Sequence, residues 1–138
     1  MNKIINISEA FSIAAHSMAY IAAKGERLNG LYIAENLGFS SNHTAKVLKL
    51  LVKHKFLISE RGPKGGFQLN VLPENLSLLD IYLAVEGNYQ EKHSCQHTHD
   101  SCPFAECVFG DISNKLSAEF KEYLQNHSIK DLIKKEQQ

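Results

Sequence analysis

Along the first part of the chain, apolar residues recur at three- and four-residue steps. Phe11, Ala14, Ala15, Met18, Ile21 and Ala22 fall on one side of a helix expected over 7–23. Ser8 can accept from its first free backbone N–H groups, and Gly25 can end it in a left-handed turn. A second, short helix is expected over 31–37, where Leu31, Ala34 and Leu37 share a face and Gly38 supplies the exit. Ser40 and Ser41 stand ready to cap a third helix over 42–54, with Val47, Leu48, Leu51 and Val52 on its inner side. His43, Lys46, Lys49 and Lys53 fall on its outer side. The periodicity then shortens. Residues 56–59 and 67–71 read as two strands around the turn Gly62-Pro63-Lys64-Gly65-Gly66.

Helix, turn, helix and β-hairpin in that order predict a winged helix: mainly α, with a small β-hairpin wing. A further helix is expected over 77–85 from Leu78, Leu79, Tyr82 and Val85, stopped by Gly87. Residues 88–102 are polar, show no sustained period and read as a loop. Pro103 can sit in the first turn of a long C-terminal helix reaching about residue 125, striped by Ile112, Leu116, Phe120, Tyr123 and Leu124. Such a helix has little of its own domain to pack against, so a second copy is expected to cover it and give a homodimer. The tail has a cap at Ser128 and an apolar pair, Leu132 and Ile133, and is expected to fray after Lys134. The expected division is therefore a DNA-binding domain over 1–87, a cysteine-containing loop over 88–107, and a dimerisation helix with its tail over 108–138.

The chain has 138 residues, enough for one hydrophobic core. No cationic segment leads into an apolar run near the start, and no apolar stretch is long enough for a membrane span, so a cytoplasmic location is expected. Formal net charge is zero, but it is unevenly spread. Between residues 40 and 71 lie Lys46, Lys49, Lys53, Lys55, Arg61 and Lys64 against one acid, Glu60. One concentrated basic face on a neutral protein suits phosphate binding, because counterions are released there. Ser40, Ser41, Asn42 and His43 would lie at the start of a groove-facing helix, extended by Lys46 and Lys49. In the wing, Arg61 and Lys64 supply charge, while Gly62, Gly65 and Gly66 let the backbone approach another polymer closely. No paired base, oxyanion loop or phosphate-binding glycine motif supports an enzyme.

Cys95, Cys102 and Cys107 fall within thirteen consecutive positions. An odd count closes no intrachain disulfide set, so metal binding or thiol redox chemistry is expected. The spacing suits iron–sulfur or zinc ligation, and an oxidative pairing of Cys95 with Cys102 is a further option. His93, His97 and His99 crowd the same loop.

Ala34 to Gly38, the helix from Ser40 to Leu51, the run Arg61-Gly62-Pro63-Lys64-Gly65-Gly66-Phe67-Gln68-Leu69, then Leu79-Asp80-Ile81 and Val85-Glu86-Gly87 together resemble the Rrf2 family. That bacterial group includes the iron–sulfur cluster regulator, the nitric-oxide-sensitive repressor and the cysteine-metabolism repressor. The resemblance spans nearly the whole chain. It implies a homodimeric transcription regulator, a repressor by expectation, that binds an inverted repeat in double-stranded DNA. It also implies, as in many members, an iron–sulfur cluster on Cys95, Cys102 and Cys107, of either the 2Fe–2S or the 4Fe–4S type, that senses redox state, nitric oxide or iron–sulfur supply. The fourth ligand varies or comes from the first helix of the partner subunit, where His16 matches a ligating position, and Glu9 or one of His93, His97 and His99 is an alternative. The chain departs from the family pattern at His43, where an aromatic residue is common. Ala45 and Lys46 replace an acidic and an amide residue seen in the iron–sulfur cluster regulator, and the interval from Cys95 to Cys102 is longer than the family's usual one.

Overall fold

The computed structural model describes residues 7–87 and 102–136. Helix α1 (Glu9–Lys24) is the element around which the rest assembles, with later helices and the hairpin packed against it. Enclosed in this way, it buries more than one stripe. Ile13 and Ser17, outside the expected face, are sealed beside Phe11, Ala14, Met18 and Ile21. Ser8 accepts from the Phe11 N–H, and Gly25 closes the helix at φ 65°.

Helix α2 (Gly30–Leu37) starts at Asn29, whose side chain accepts from Tyr32 N at 2.7 Å. The phase set by that cap buries Ile33 and Ala34 and turns Leu31 outward, 58% exposed, where the spacing had placed it on the inner face. Helix α3 (Ser41–Lys53) buries Thr44, Val47, Leu48 and Leu51 against α1 and α2, and its lysines face outward. Beyond its C-cap His54, Lys55 takes a left-handed φ of 65°.

The hairpin follows as β1 (Leu57–Glu60) and β2 (Gly66–Leu69), antiparallel, with Leu57 opposite Leu69 and Glu60 opposite Gly66. β1 lies one residue beyond the expected span because Phe56 N–H still closes α3 by donating to Leu51 O. A further rung, absent from the sequence reading, joins Leu28 to Phe67 through reciprocal backbone bonds of 3.0 and 2.7 Å. A 3-10 turn at Pro73–Asn75 leads to α4 (Leu78–Glu86). Ser77 and Asp80 form a capping box at the start of α4.

The C-terminal helix is shorter than expected. Residues 103–111, assigned to it by sequence, lie outside, and α5 spans Ile112–Gln125. Gly110 turns left-handed at φ 63° and donates to Cys107 O, which breaks the helical ladder before Asp111. Among the described residues nothing covers Phe104, Val108 or Phe109, which are 62%, 68% and 61% exposed, and packing there does not favour ordering that stretch as helix. The tail is better anchored than expected. α6 (Ile129–Glu136) packs on α1, Ile129 is fully buried, and backbone bonds run from Leu78 N to His127 O and from Ile129 N to Leu76 O. The result is mainly helical with one two-stranded wing. Among the described residues no helix is long and apolar enough to cross a membrane.

Candidate nucleic-acid interface

The short polar residues between α2 and α3 fix how α3 is presented. Ser40 adopts extended backbone and its hydroxyl accepts from His43 N at 3.1 Å, so the helix begins with a satisfied cap. Ser41 and Asn42 are exposed in the first turn, and Lys46 and Lys49 are exposed one and two turns further on. With Thr44, Val47, Leu48 and Leu51 held inside, the polar face of α3 can only point away from the core. A helix exposed along one cationic side, with free N–H groups at its start, can enter a major groove and bind phosphate at its rim. His43 has a neighbour the sequence did not announce: its Nδ1 lies 3.3 Å from Glu9 Oε1, which ties the start of α3 to the first turn of α1.

At the wing, Arg61, Gly62, Pro63 and Lys64 are all exposed at the tip, where both cations are accessible. Gly66 sits lower, partly buried, and its role is visible in what a side chain would strike. At φ 136°, a Cβ there would come within 2.5 Å of Leu28 O. At Gly65 a Cβ would come within 2.3 Å of Glu60 O. These glycines are required by the tight ribbon itself, and they seat the wing on Leu28. Arg27, next to that contact, bonds both strands: Nη1 lies 2.8 Å from Glu60 Oε2, and Nη2 donates to Gln68 Oε1 at 2.9 Å.

Of the candidate sensor residues, Cys95 lies outside the described residues, together with His93, His97 and His99. Cys102 is half-buried and Cys107 exposed, both as free thiols in the turns that precede α5. His16 is exposed on α1 and its Nδ1 is 2.7 Å from Ser12 O. That geometry makes Nδ1 the protonated nitrogen and leaves the Nε2 lone pair available to a metal. It borders an apolar cleft of about 400 Å³ between α1, α5 and α6, lined in part by Phe11, Ala15, Phe120, Tyr123 and Leu132. Soft thiolates and a tautomer-fixed imidazole are a donor chemistry that fits an iron–sulfur cluster or zinc. Among the described residues, however, no three His, Cys, Asp or Glu side chains are gathered around one point.

The family model for Rrf2, described as an iron-dependent transcriptional regulator, matches residues 7–135. The transcriptional regulator NsrR of Bacillus subtilis is 24% identical, over 85% of this chain and 82% of its own length. Two solved structures share the fold: CymR, the global cysteine regulator of B. subtilis, and IscR of T. potens. The first has a TM-score of 0.76 at 20% identity, covering 95% of this chain and 98% of that one. The second also has a TM-score of 0.76, at 22% identity, covering 96% and 88%.

Proposed function

Because the chain belongs to the Rrf2 family of transcriptional regulators, we propose that it binds an inverted-repeat operator as a homodimer and adjusts that binding through an iron–sulfur cluster. It is a DNA-binding regulator and not an enzyme. The observation that carries the DNA reading is the joint exposure of α3 and the wing tip. Ser40, Ser41, Asn42, His43, Lys46 and Lys49 meet the major groove and its phosphates, while Arg61 and Lys64 extend to the neighbouring groove. Gly66 shapes the wing.

Cys95, Cys102 and Cys107 would hold the cluster, with His16 of the partner subunit as fourth ligand. When bound, the cluster supplies iron that changes oxidation state or reacts with nitric oxide. The chain's own contacts offer a route from that region to the DNA face. The Ser8 hydroxyl donates to the Glu86 carboxylate at the end of α4, the last turn before the cysteine segment. The adjacent Glu9 holds His43 at the start of α3. A displacement of the α4 terminus therefore acts on Ser8, whose neighbour Glu9 contacts the start of α3. Such a switch needs a differential stability of only a few kcal/mol between two dimer geometries.

The homodimer is supported by Ile112, Leu116 and Tyr123, exposed along α5, and by Phe104, Val108 and Phe109 before it. Exposed apolar side chains of this kind on a regulator fit a symmetric partner. Anaerobic purification with absorbance, iron and sulfide analysis tests the cluster, and footprinting with loaded and stripped protein tests its effect on DNA. A colourless, iron-free protein whose Cys102→Ala and Cys107→Ala variants bind DNA like the native chain would refute it. A second reading, thiol oxidation without a cluster, is favoured by the exposure of Cys107. It predicts iron-free protein whose DNA binding responds to peroxide and recovers with dithiothreitol.

A further inference from the structure

We propose that Arg27 is a positioning residue for DNA binding, holding the base of the wing and engaging the one carboxylate that stands among the wing's cations. Residues 40–71 carry six basic side chains and a single acid, Glu60. Glu60 ends β1, directly before Arg61 and opposite Gly66. An unpaired carboxylate at that point opposes the phosphates that Arg61 and Lys64 are to meet.

The compensating charge comes from outside that stretch. Arg27, in the connection from α1 to α2, is the 2.8 Å partner of Glu60, and it donates to Gln68 at 2.9 Å. Its two acceptors lie on different strands, β1 and β2, so one planar guanidinium spans the ribbon in a way a lysine ammonium does not reproduce. The arginine side chain is 25% exposed and that of Glu60 57%. The cation is thus the sheltered member of the pair, while the carboxylate stands at the surface that duplex DNA would approach. Arg27 is also delivered rigidly, since its neighbour Leu28 exchanges two backbone bonds with Phe67 and packs where a Gly66 side chain would stand. Arg27 acts through Glu60 and Gln68 and makes no contact with DNA itself.

The test is a double-mutant cycle on the full chain, read by fluorescence anisotropy on a labelled mixed-sequence duplex of about 30 base pairs at low salt. The expected results are binding weakened about fivefold in Arg27→Ala, unchanged or slightly tighter in Glu60→Gln, and restored to within about twofold in the double variant. Circular dichroism confirms that each variant is folded, and should Arg27→Ala not fold, Arg27→Gln takes its place in the cycle. A double variant as weak as the single arginine variant overturns the proposal, because the effect of the arginine would then not run through the Glu60 carboxylate. The inference rests on the wing meeting DNA, which Lys64→Ala checks separately. That variant loses affinity whatever Arg27 does, and full affinity in it would overturn the wing contact and this proposal together.

Discussion

Single residues decide the shape of the wing. Gly66 was legible in the sequence as part of a turn, but the reason only glycine fits lies in Leu28, thirty-eight positions earlier, and no local pattern exposes that contact. Gly66→Ala would force a Cβ against a backbone oxygen in a left-handed conformation. It should cost about 1–3 kcal/mol in urea unfolding and weaken duplex binding more than an alanine at the solvent-facing Lys64. Lys55 is the opposite case, a non-glycine residue at φ 65° whose carbonyl accepts from the Asn70 amide. Relieving that conformation by Lys55→Gly should raise stability by about 0.5–1 kcal/mol, seen as a higher urea midpoint at unchanged slope. The cap at Ser40 and the exposure of the α3 lysines were legible because caps and cations are local signals, whereas the pairing of Glu9 with His43 depends on two helices meeting.

At the level of elements, helices with a capping residue and a clear apolar face were read closely, as α1 and α3 show. The start of α5 was not, because Pro103 is an equally good first-turn residue for a helix that does not form, and the break comes from Gly110. The tail was underestimated for a related reason. A short amphipathic run cannot announce that its neighbours will bond to the chain between Leu76 and Leu78. Ile129, fully buried between that chain and α1, should therefore behave as a core residue. Ile129→Ala is expected to destabilise the protein by about 2–5 kcal/mol in denaturant unfolding, where a frayed terminus would tolerate it.

For the whole molecule, the charge distribution was the most informative sequence property, since a net charge of zero concealed a basic stretch that folding gathers onto one helix and one ribbon. The expected homodimer has only surplus apolar surface behind it. If α5 carries the dimer, Leu116→Arg should shift sedimentation toward a monomer and weaken operator binding at least about tenfold, while leaving the helical dichroism per residue unchanged. Along one stripe of α5, Leu116 is exposed, Phe120 packs on Tyr82 and Leu124 is enclosed, and the chain is then pinned at His127 and Ile129. Among the described residues the helix is held chiefly at its C-terminal end, like a cantilever. Its 14 residues make an arm of about 21 Å, so tilting the clamp by roughly ten degrees swings the free tip by about 4 Å. A twofold pair of such arms would turn a modest rotation at the root into a change in the separation of two reading heads.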